Sequence, residues 1–360
     1  MNGFTFRFLL ELYTKGSTTE KQVQHTVESV SALVMTTISQ LDHLLTLFTD
    51  TLPPKQIRDN QALKTLRAEL KHSRDLFTKL TTEYQRVKYF SGKGLVPPEA
   101  FKIGQRQDVR PDGTNQTVDV EAQYIPVIPM LTKYYDHYST LPTSQQENDV
   151  LASYHDSHRF KASEFQREHP SALNLILYHD DIEVANPLGS RAGVHKLTMF
   201  YYSIHGQTFS NLHSIHLAVV CHASDVKQYG YSAVLTPFIR DMKALYSGVQ
   251  LTINDVPGPI LHAALTHVAG DNLAANAILG MVQSFSGGHC CRFCYIAGDE
   301  IRTCTHSRDQ LTRCVTSHRM DVEMVKHKSD ASSSTGVKEM CALDDLPYFC
   351  GLEATVPDVM

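Results

Sequence analysis

Residues 172–181 read Ala-Leu-Asn-Leu-Ile-Leu-Tyr-His-Asp-Asp, a short apolar run that ends in two carboxylates. An apolar run of this length predicts a buried strand, and Asp180 would lie at its end. Two more apolar runs follow at residues 197–204 and 215–221, and residues 231–246 then have helical spacing. We therefore predict three successive strands followed by a helix.

A fourth apolar run ends in another aspartate. Residues 259–268 predict a strand, Gly270 and Asp271 follow, and residues 272–285 have helical spacing. Three strands, a helix, a strand and a helix predict an α/β fold with a mixed sheet and helices against its faces. The order matches the RNase H-like fold, in which the strands that end in Asp180 and Asp271 lie side by side.

The rest of the chain is divided around this core. At 360 residues the chain is long enough for about two domains. Apolar residues recur at three- and four-residue steps over residues 23–48 and 63–84, which predicts helices, whereas residues 92–123 predict a linker or irregular segment. The predicted regions are a helical N-terminal region (1–104), a linker and helical segment (105–160), an RNase H-like core (161–288), and a Cys/His-rich insertion with a truncated C-terminal segment (289–360).

Charge and composition limit the function. The net charge of −5 argues against a protein that simply coats nucleic acid, so DNA binding requires a local basic surface. Residues 55–102 provide one, although a solvated helix face is the alternative interpretation. No apolar run approaches the roughly 18 residues of a membrane helix, and no signal peptide is expected. Seven of the eight cysteines lie at or after Cys290, which favours a local metal site over a disulfide framework.

The two strand-end aspartates predict a metal site. Asp180 and Asp271 would converge at one end of the sheet, where their charges repel unless a divalent cation lies between them. Mg²⁺ prefers oxygen ligands, and two such ions about 4 Å apart can activate water or a 3′-hydroxyl for phosphodiester chemistry. The alternative interpretation is that both residues belong to turns or helix caps, since Asp271 before Asn272 suits an N-cap.

The cysteine cluster predicts a possible zinc site. Cys291-x-x-Cys294 is half of such a site, and Cys314 and His318 have suitable spacing to complete it. Cys304 and His306 are closer in sequence and stay open as alternatives. Packed, unligated cysteines and a thioredoxin-like redox pair are also open, although the latter lacks its usual βαβ context.

Several of these motifs together resemble one family. Residues 177–190, Leu-Tyr-His-Asp-Asp-Ile-Glu-Val-Ala-Asn-Pro-Leu-Gly-Ser, are similar to the first-aspartate motif of CACTA (En/Spm-type) DNA transposases of the animal branch. His195-Lys196 lie where that motif continues. Gly270-Asp271-Asn272-Leu273, then Gly280 and Phe285, and then Cys-Arg-Phe-Cys at 291–294 resemble the second-aspartate motif. The resemblance covers about residues 160–295.

The resemblance implies a transposase core with Asp180 and Asp271 as the first two catalytic carboxylates. It implies Mg²⁺ or Mn²⁺ as cofactor and metal-dependent strand cleavage and strand transfer at transposon ends. Arg191, His195 and Lys196 would contact DNA phosphates. A nuclear location and a homo-oligomer are further expectations, and no membrane is expected.

The resemblance also predicts that the third carboxylate lies beyond this sequence. Family members carry it after a segment similar to Pro-Asp-x-Met-His-Asp, and residues 357–360 resemble the opening of that segment. Glu323, Glu339 and Glu353 stay open as internal alternatives. An incomplete triad leaves a second hypothesis, a catalytically inactive module that binds DNA or protein. A third hypothesis is an unrelated zinc-stabilised α/β protein.

Overall fold

The computed structural model describes most of the chain. The described residues are 3–14, 19–74, 80–133, 135, 154–184, 196–207, 214–253, 256–284, 288–301, 303–304 and 312–356. The chain forms two compact units, Met1–Pro97 and Pro98–Met360. Each unit is described by itself below.

The described part of the first unit is helical, as predicted. Its helices are α1 (Gly3–Thr14), α2 (Glu20–Asp50), α3 (Pro54–Asp59), α4 (Gln61–Arg74) and α5 (Glu83–Ser91). Thr19 caps α2 by accepting a hydrogen bond from the Gln22 backbone, and Thr82 caps α5 in the same way. Leu9, Val27 and Leu80 form the centre of a small apolar core.

A buried arginine joins three parts of this unit. Arg86 on α5 is fully buried. Its Nε donates a hydrogen bond to the Tyr13 hydroxyl (2.8 Å), its Nη1 donates to the Leu80 carbonyl (3.2 Å), and its Nη2 pairs with Glu20. A buried guanidinium is stable only with such partners, so these contacts fix α1, α2 and α5 together.

Helix α2 is long and apolar enough to cross a membrane by length and composition. A helix of this length and hydropathy was not predicted from the sequence, because charged residues interrupt its apolar runs. Length and hydropathy are weak evidence, because helices of soluble proteins can pass the same test. Several of its apolar residues are exposed: Leu33, Leu41, Leu44, Leu47 and Phe48.

The second unit is mixed α/β. Its strands are β1 (Glu99–Val109), β2 (Asn115–Tyr124), β3 (Leu173–Glu183), β4 (Lys196–Ile204), β5 (His216–His222), β6 (Val249–Ile253), β7 (Val256–Leu261) and β8 (Ala263–Ala269). Its helices are α6 (Val127–Lys133), α7 (His158–Ala162), α8 (Glu164–Glu168), α9 (Ala223–Ser247), α10 (Asn272–Ile278), α11 (Val315–His327), α12 (Ser332–Thr335) and α13 (Gly351–Ala354). Short 3₁₀ turns lie at Tyr154–Asp156, Ser329–Ala331 and Ala342–Asp345.

Six strands form one mixed sheet in the order β1-β2-β5-β4-β3-β8. Strands β3, β4 and β5 are antiparallel neighbours, whereas β3 and β8 are parallel. A single parallel bridge joins Val268 of β8 to Thr355. Strands β6 and β7 form a separate hairpin. Because β3 and β8 are parallel, their carboxyl ends lie at the same edge of the sheet.

The main core lies between this sheet and α9. Alternate residues of β3 and β4, including Leu175, Leu177 and Phe200, are fully buried, as are Leu235 and Phe238 of α9. The period of two in the strands directs one face of the sheet toward the helix. The helix is kinked at Gly230, whose φ of 81° suits glycine.

Four details of the predicted secondary structure were wrong. The helix predicted over residues 272–285 ends at Ile278. Residues 92–123 are not an irregular linker throughout, since β1 and β2 form a long hairpin there, and the predicted boundary at residue 104 falls inside β1. The apolar run at 259–268 is divided between β7 and β8 by His262. Strand β6 was missed because its five residues follow α9 directly. The alternation of polar and apolar residues in β2 was the signal that could have identified the first hairpin.

Candidate metal and phosphate site

A cleft of about 570 Å³ opens at the carboxyl ends of β3 and β8. Acidic and basic side chains share its wall. The acids are Asp180, Asp181, Asp271 and Glu339, and the bases are Lys196, Lys227 and Lys338. The two aspartates singled out in the sequence therefore lie in one cleft.

The parallel register brings Asp180 and Asp271 together. Leu177 pairs with Val268 and Tyr178 pairs with Ala269, so each aspartate lies two residues beyond the last pair. The two backbone segments stay close at this point: a Cβ built on Gly270 would lie only 3.3 Å from the carbonyl oxygen of His179. Asp271 thus follows the end of β8, whereas Asp180 lies next to it on β3, which continues to Glu183 and still pairs with β4 there. The prediction that Asp180 ends its strand was therefore wrong by three residues.

Each aspartate uses one oxygen in a local hydrogen bond. Oδ1 of Asp180 accepts from the Asp181 backbone N–H at 2.7 Å, and Oδ1 of Asp271 accepts from the Ala274 backbone N–H at 2.6 Å. Asp271 is therefore the N-cap of α10, as the alternative interpretation predicted. Capping does not exclude ligand binding, since the second carboxylate oxygen of Asp271, Oδ2, has no hydrogen-bond partner among the described residues.

Asp181 has a different role from Asp180. It pairs with Lys196 at 3.0 Å and accepts a hydrogen bond from Thr198 Oγ1 at 2.5 Å. Burial opposes its ionisation, but the contacts with Thr198 and Lys196 outweigh burial and hold the pKa of Asp181 below its usual range. Lys196, a predicted DNA contact, is thus engaged by Asp181. Arg191 and His195, the other two predicted DNA contacts, lie outside the described residues.

His179 belongs to the cleft although sequence reasoning gave it no role. Its side chain is 3% exposed and its ring stacks on Phe200, with centroids 4.8 Å apart. Neither ring nitrogen has a hydrogen-bond partner of good geometry among the described residues. Burial lowers the pKa of His179, and the nearby aspartates only partly oppose this effect. The Ala274 backbone is close enough for a weak hydrogen bond, which raises the pKa of His179 slightly.

The donor set fits a hydrated divalent cation. Within the described ranges, no three His, Cys, Asp or Glu side chains come together closely enough to hold a metal ion. Mg²⁺ commonly uses only one or two carboxylates and keeps several waters. Asp180 and Asp271 meet that requirement, and the unpartnered His179 ring marks the cleft as a place where polar atoms still need partners.

The predicted zinc ligands are not gathered in the described structure. Cys291 and Cys294 are close enough for a thiol hydrogen bond. Cys314, however, is exposed and caps α11, where its sulfur accepts from the Ser317 backbone. His318 is buried inside α11. Of the alternative ligands, His306 lies outside the described residues, and zinc remains a prediction.

Arg313, which the sequence analysis did not single out, organises the segment around these cysteines. Its guanidinium is fully buried and pairs with Asp321 at 3.3 Å. It also donates to the carbonyls of Cys291 (2.9 Å) and Thr335 (2.6 Å) and lies over the Tyr295 ring. A charged side chain at the centre of this segment therefore satisfies these polar groups.

Comparison with known protein families and with curated proteins gave no match. The functional interpretation therefore rests on the fold, the cleft and the resemblance of its motifs.

Proposed function

We propose that this chain is a transposase-derived protein whose core binds DNA and a divalent cation at the cleft. The observation that carries the proposal is the placement of Asp180, on β3, and Asp271, just after the adjacent parallel strand β8, in the wall of one cleft. The motifs around these residues are those that resemble the CACTA transposases. Carboxylates so placed, on rigid strands, suit metal-dependent phosphodiester chemistry.

The sheet supports an RNase H-like core as part of this proposal. Strands β5, β4, β3 and β8 lie in that order. Strand β4 is antiparallel to both β5 and β3, and β8 is parallel to β3. Helix α9 follows β5, and strand β8 comes after it in the chain, beyond the separate β6–β7 hairpin. The parallel bridge at Thr355 lies beside β8, where a further strand of an RNase H-like sheet would begin.

We assign the following roles to individual residues of the cleft. Asp180 and Asp271 would hold the cation, which when bound lowers the pKa of a water ligand and neutralises phosphate charge. Lys227 and Lys338 have no ion-pair partner among the described residues and would contact phosphates on either side of the reacting one. Arg191 and His195 remain proposed DNA contacts as well.

Partners and location are part of the same proposal. DNA as substrate implies a nuclear location. The exposed leucines of α2 favour self-association through the first unit, because an exposed apolar stripe of this kind commonly marks a protein interface.

The experiment is nicking of supercoiled plasmid DNA with Mn²⁺, comparing the wild type with Asp180→Asn. Nicking by the wild type and its loss in the variant would support a nuclease or strand transferase. DNA binding without nicking would favour the second candidate, a catalytically inactive binding module. That candidate draws on the finding that no three ligands converge among the described residues. Absence of both binding and nicking would overturn the proposal.

A further inference from the structure

The fourth acidic side chain of the cleft wall is Glu339, one of the three glutamates that the sequence left open as alternatives for the third carboxylate. It lines the same cleft as Asp180 and Asp271. Its charge also acts on Tyr231 in the cleft wall. Burial is the main cause of the raised pKa of Tyr231, and the nearby charges of Asp181 and Glu339 raise it further.

The backbone fixes Glu339 firmly beside the second aspartate. The N–H groups of Lys338 (2.7 Å) and Glu339 (3.0 Å) both donate to the carbonyl of Gly280, two residues after α10. An antiparallel bridge between Met281 and Val337 extends this contact. Because Asp271 caps the start of α10 and Gly280 follows its end, this one short helix and its flanking residues position both carboxylates.

Gly280 is required for this close approach. Its φ is +68°, in the left-handed region that favours glycine, and a Cβ at this position would collide with the Glu339 carbonyl. The glycine thus allows the Glu339 segment to lie directly against the turn after α10.

The cleft also holds more negative charge than its lysines neutralise. Asp181 pairs with Lys196, whereas Asp180, Asp271 and Glu339 form no ion pair among the described residues. The buried ring of His179, which has no hydrogen bond of good geometry among the described residues, adds polar atoms to this wall that a ligand could satisfy. A divalent cation would neutralise the carboxylates and offer water ligands to the remaining polar groups.

We infer that Glu339 is the third acidic side chain of this metal site and that it binds the cation through the cation's water ligands. The inference rests on the proposed function. An indirect contact agrees with the absence, within the described ranges, of three side chains that could ligate one ion directly.

The other two glutamates considered in the sequence do not lie in the cleft. Glu323 pairs with Lys326 at 2.6 Å, and Glu353 lies 3.8 Å from Arg159. The geometry therefore distinguishes Glu339 from both.

The test is Mn²⁺ titration of the full chain, followed by the electron paramagnetic resonance signal of free Mn²⁺. Glu339→Gln preserves the shape of the side chain and removes its charge. We expect it to weaken Mn²⁺ binding roughly tenfold, the usual effect of losing an outer-shell carboxylate. The matched control Glu323→Gln should bind as the wild type does. Gly280→Ala should weaken binding as well, because it displaces the Glu339 segment.

Asp180→Asn separates failure of this inference from failure of the proposed function. If Asp180→Asn weakens binding and Glu339→Gln does not, the inference is overturned and the proposed function stands. If neither substitution changes Mn²⁺ binding, the inference and the proposed function are both overturned. Should Glu339→Gln fail to fold, Glu339→Ser gives the decision. It also removes the carboxylate, so it should weaken Mn²⁺ binding by a similar factor of roughly ten, and an unchanged affinity would overturn the inference.

Discussion

Asp271 shows how one side chain can satisfy two interpretations of the same sequence. It caps α10 through Oδ1 and lines the cleft beside Asp180. The residue type and its place after a strand were visible in the sequence, and so was the cap. What the sequence could not show was that both roles hold together, because that depends on the register of β8 against β3.

Serine at position 271 separates the two roles. Serine caps helices about as well as aspartate, so Asp271→Ser should retain stability, whereas Asp271→Ala should lose about 1 kcal/mol. Both variants should lose Mn²⁺ affinity, because neither carries a carboxylate. Urea unfolding and Mn²⁺ titration measure the two effects. Retention of wild-type affinity in Asp271→Ser would mean that Asp271 is a cap alone.

A pair of histidines on the sheet predicts a loss of stability in acid. Nε2 of His205 and Nδ1 of His267 lie 3.2 Å apart. Burial, together with the neighbouring histidines, lowers the pKa of His205 to about 3, and burial lowers that of His267 to about 4. The folded chain thus keeps both rings neutral while the unfolded chain takes up protons below about pH 6.5, so stability falls as the pH drops from about 6.5 toward 4.

The variant His205→Gln should flatten this dependence. Allowing for partial solvent access, we expect the wild type to lose about 1 kcal/mol more than the variant between pH 7 and pH 5. Urea midpoints at the two pH values measure the difference. His72→Gln, at an exposed position, is the control and should behave as the wild type. Parallel losses in the wild type and His205→Gln would contradict the prediction.

The elements of the core were predictable to different degrees. The apolar runs of β3, β4 and β5 and the helical spacing of α9 carried strong periodic signals, and the structure has them. The hairpin of β1 and β2 escaped because its residues are mostly exposed and polar, which sequence reasoning takes as irregular structure. Arg313 escaped for another reason. A lone arginine gives no periodic signal, and its partners come from three separate segments.

Arg313→Met tests the importance of that buried arginine to its element. The substitution leaves Asp321 without its cationic partner, although the Tyr295 hydroxyl still donates to it, and leaves the Cys291 and Thr335 carbonyls without this donor, so we expect a loss of about 3 kcal/mol in the free energy of unfolding. Urea unfolding measures the loss, with Arg319→Met, at an exposed position on α11, as control. If zinc, rather than Arg313, organised the segment, a chelator would destabilise the wild type and Arg313→Met would have little effect.

The whole molecule joins a helical unit to an α/β unit whose sheet edge carries the cleft. The mixed α/β class followed from the sequence, and so did the proximity of Asp180 and Asp271, since both depend on local patterns in and after the strands. The sequence named Glu339 only as one of three alternatives, because it lies 68 residues beyond Asp271 by sequence number and reaches the cleft through the contact of its backbone with Gly280. Long-range contacts of this kind leave no spacing that can be recognised in a single sequence.

The central claim is that Asp180 and Asp271 form one cation site, and calorimetric titration with Mn²⁺ tests it most directly. The wild type, Asp180→Asn and Asp271→Asn would be compared with Asp345→Asn, which removes a surface ion pair with Lys243. The account predicts one saturable site that both aspartate substitutions weaken by at least tenfold and that Asp345→Asn leaves intact. Binding of wild-type strength in both Asp180→Asn and Asp271→Asn would contradict it.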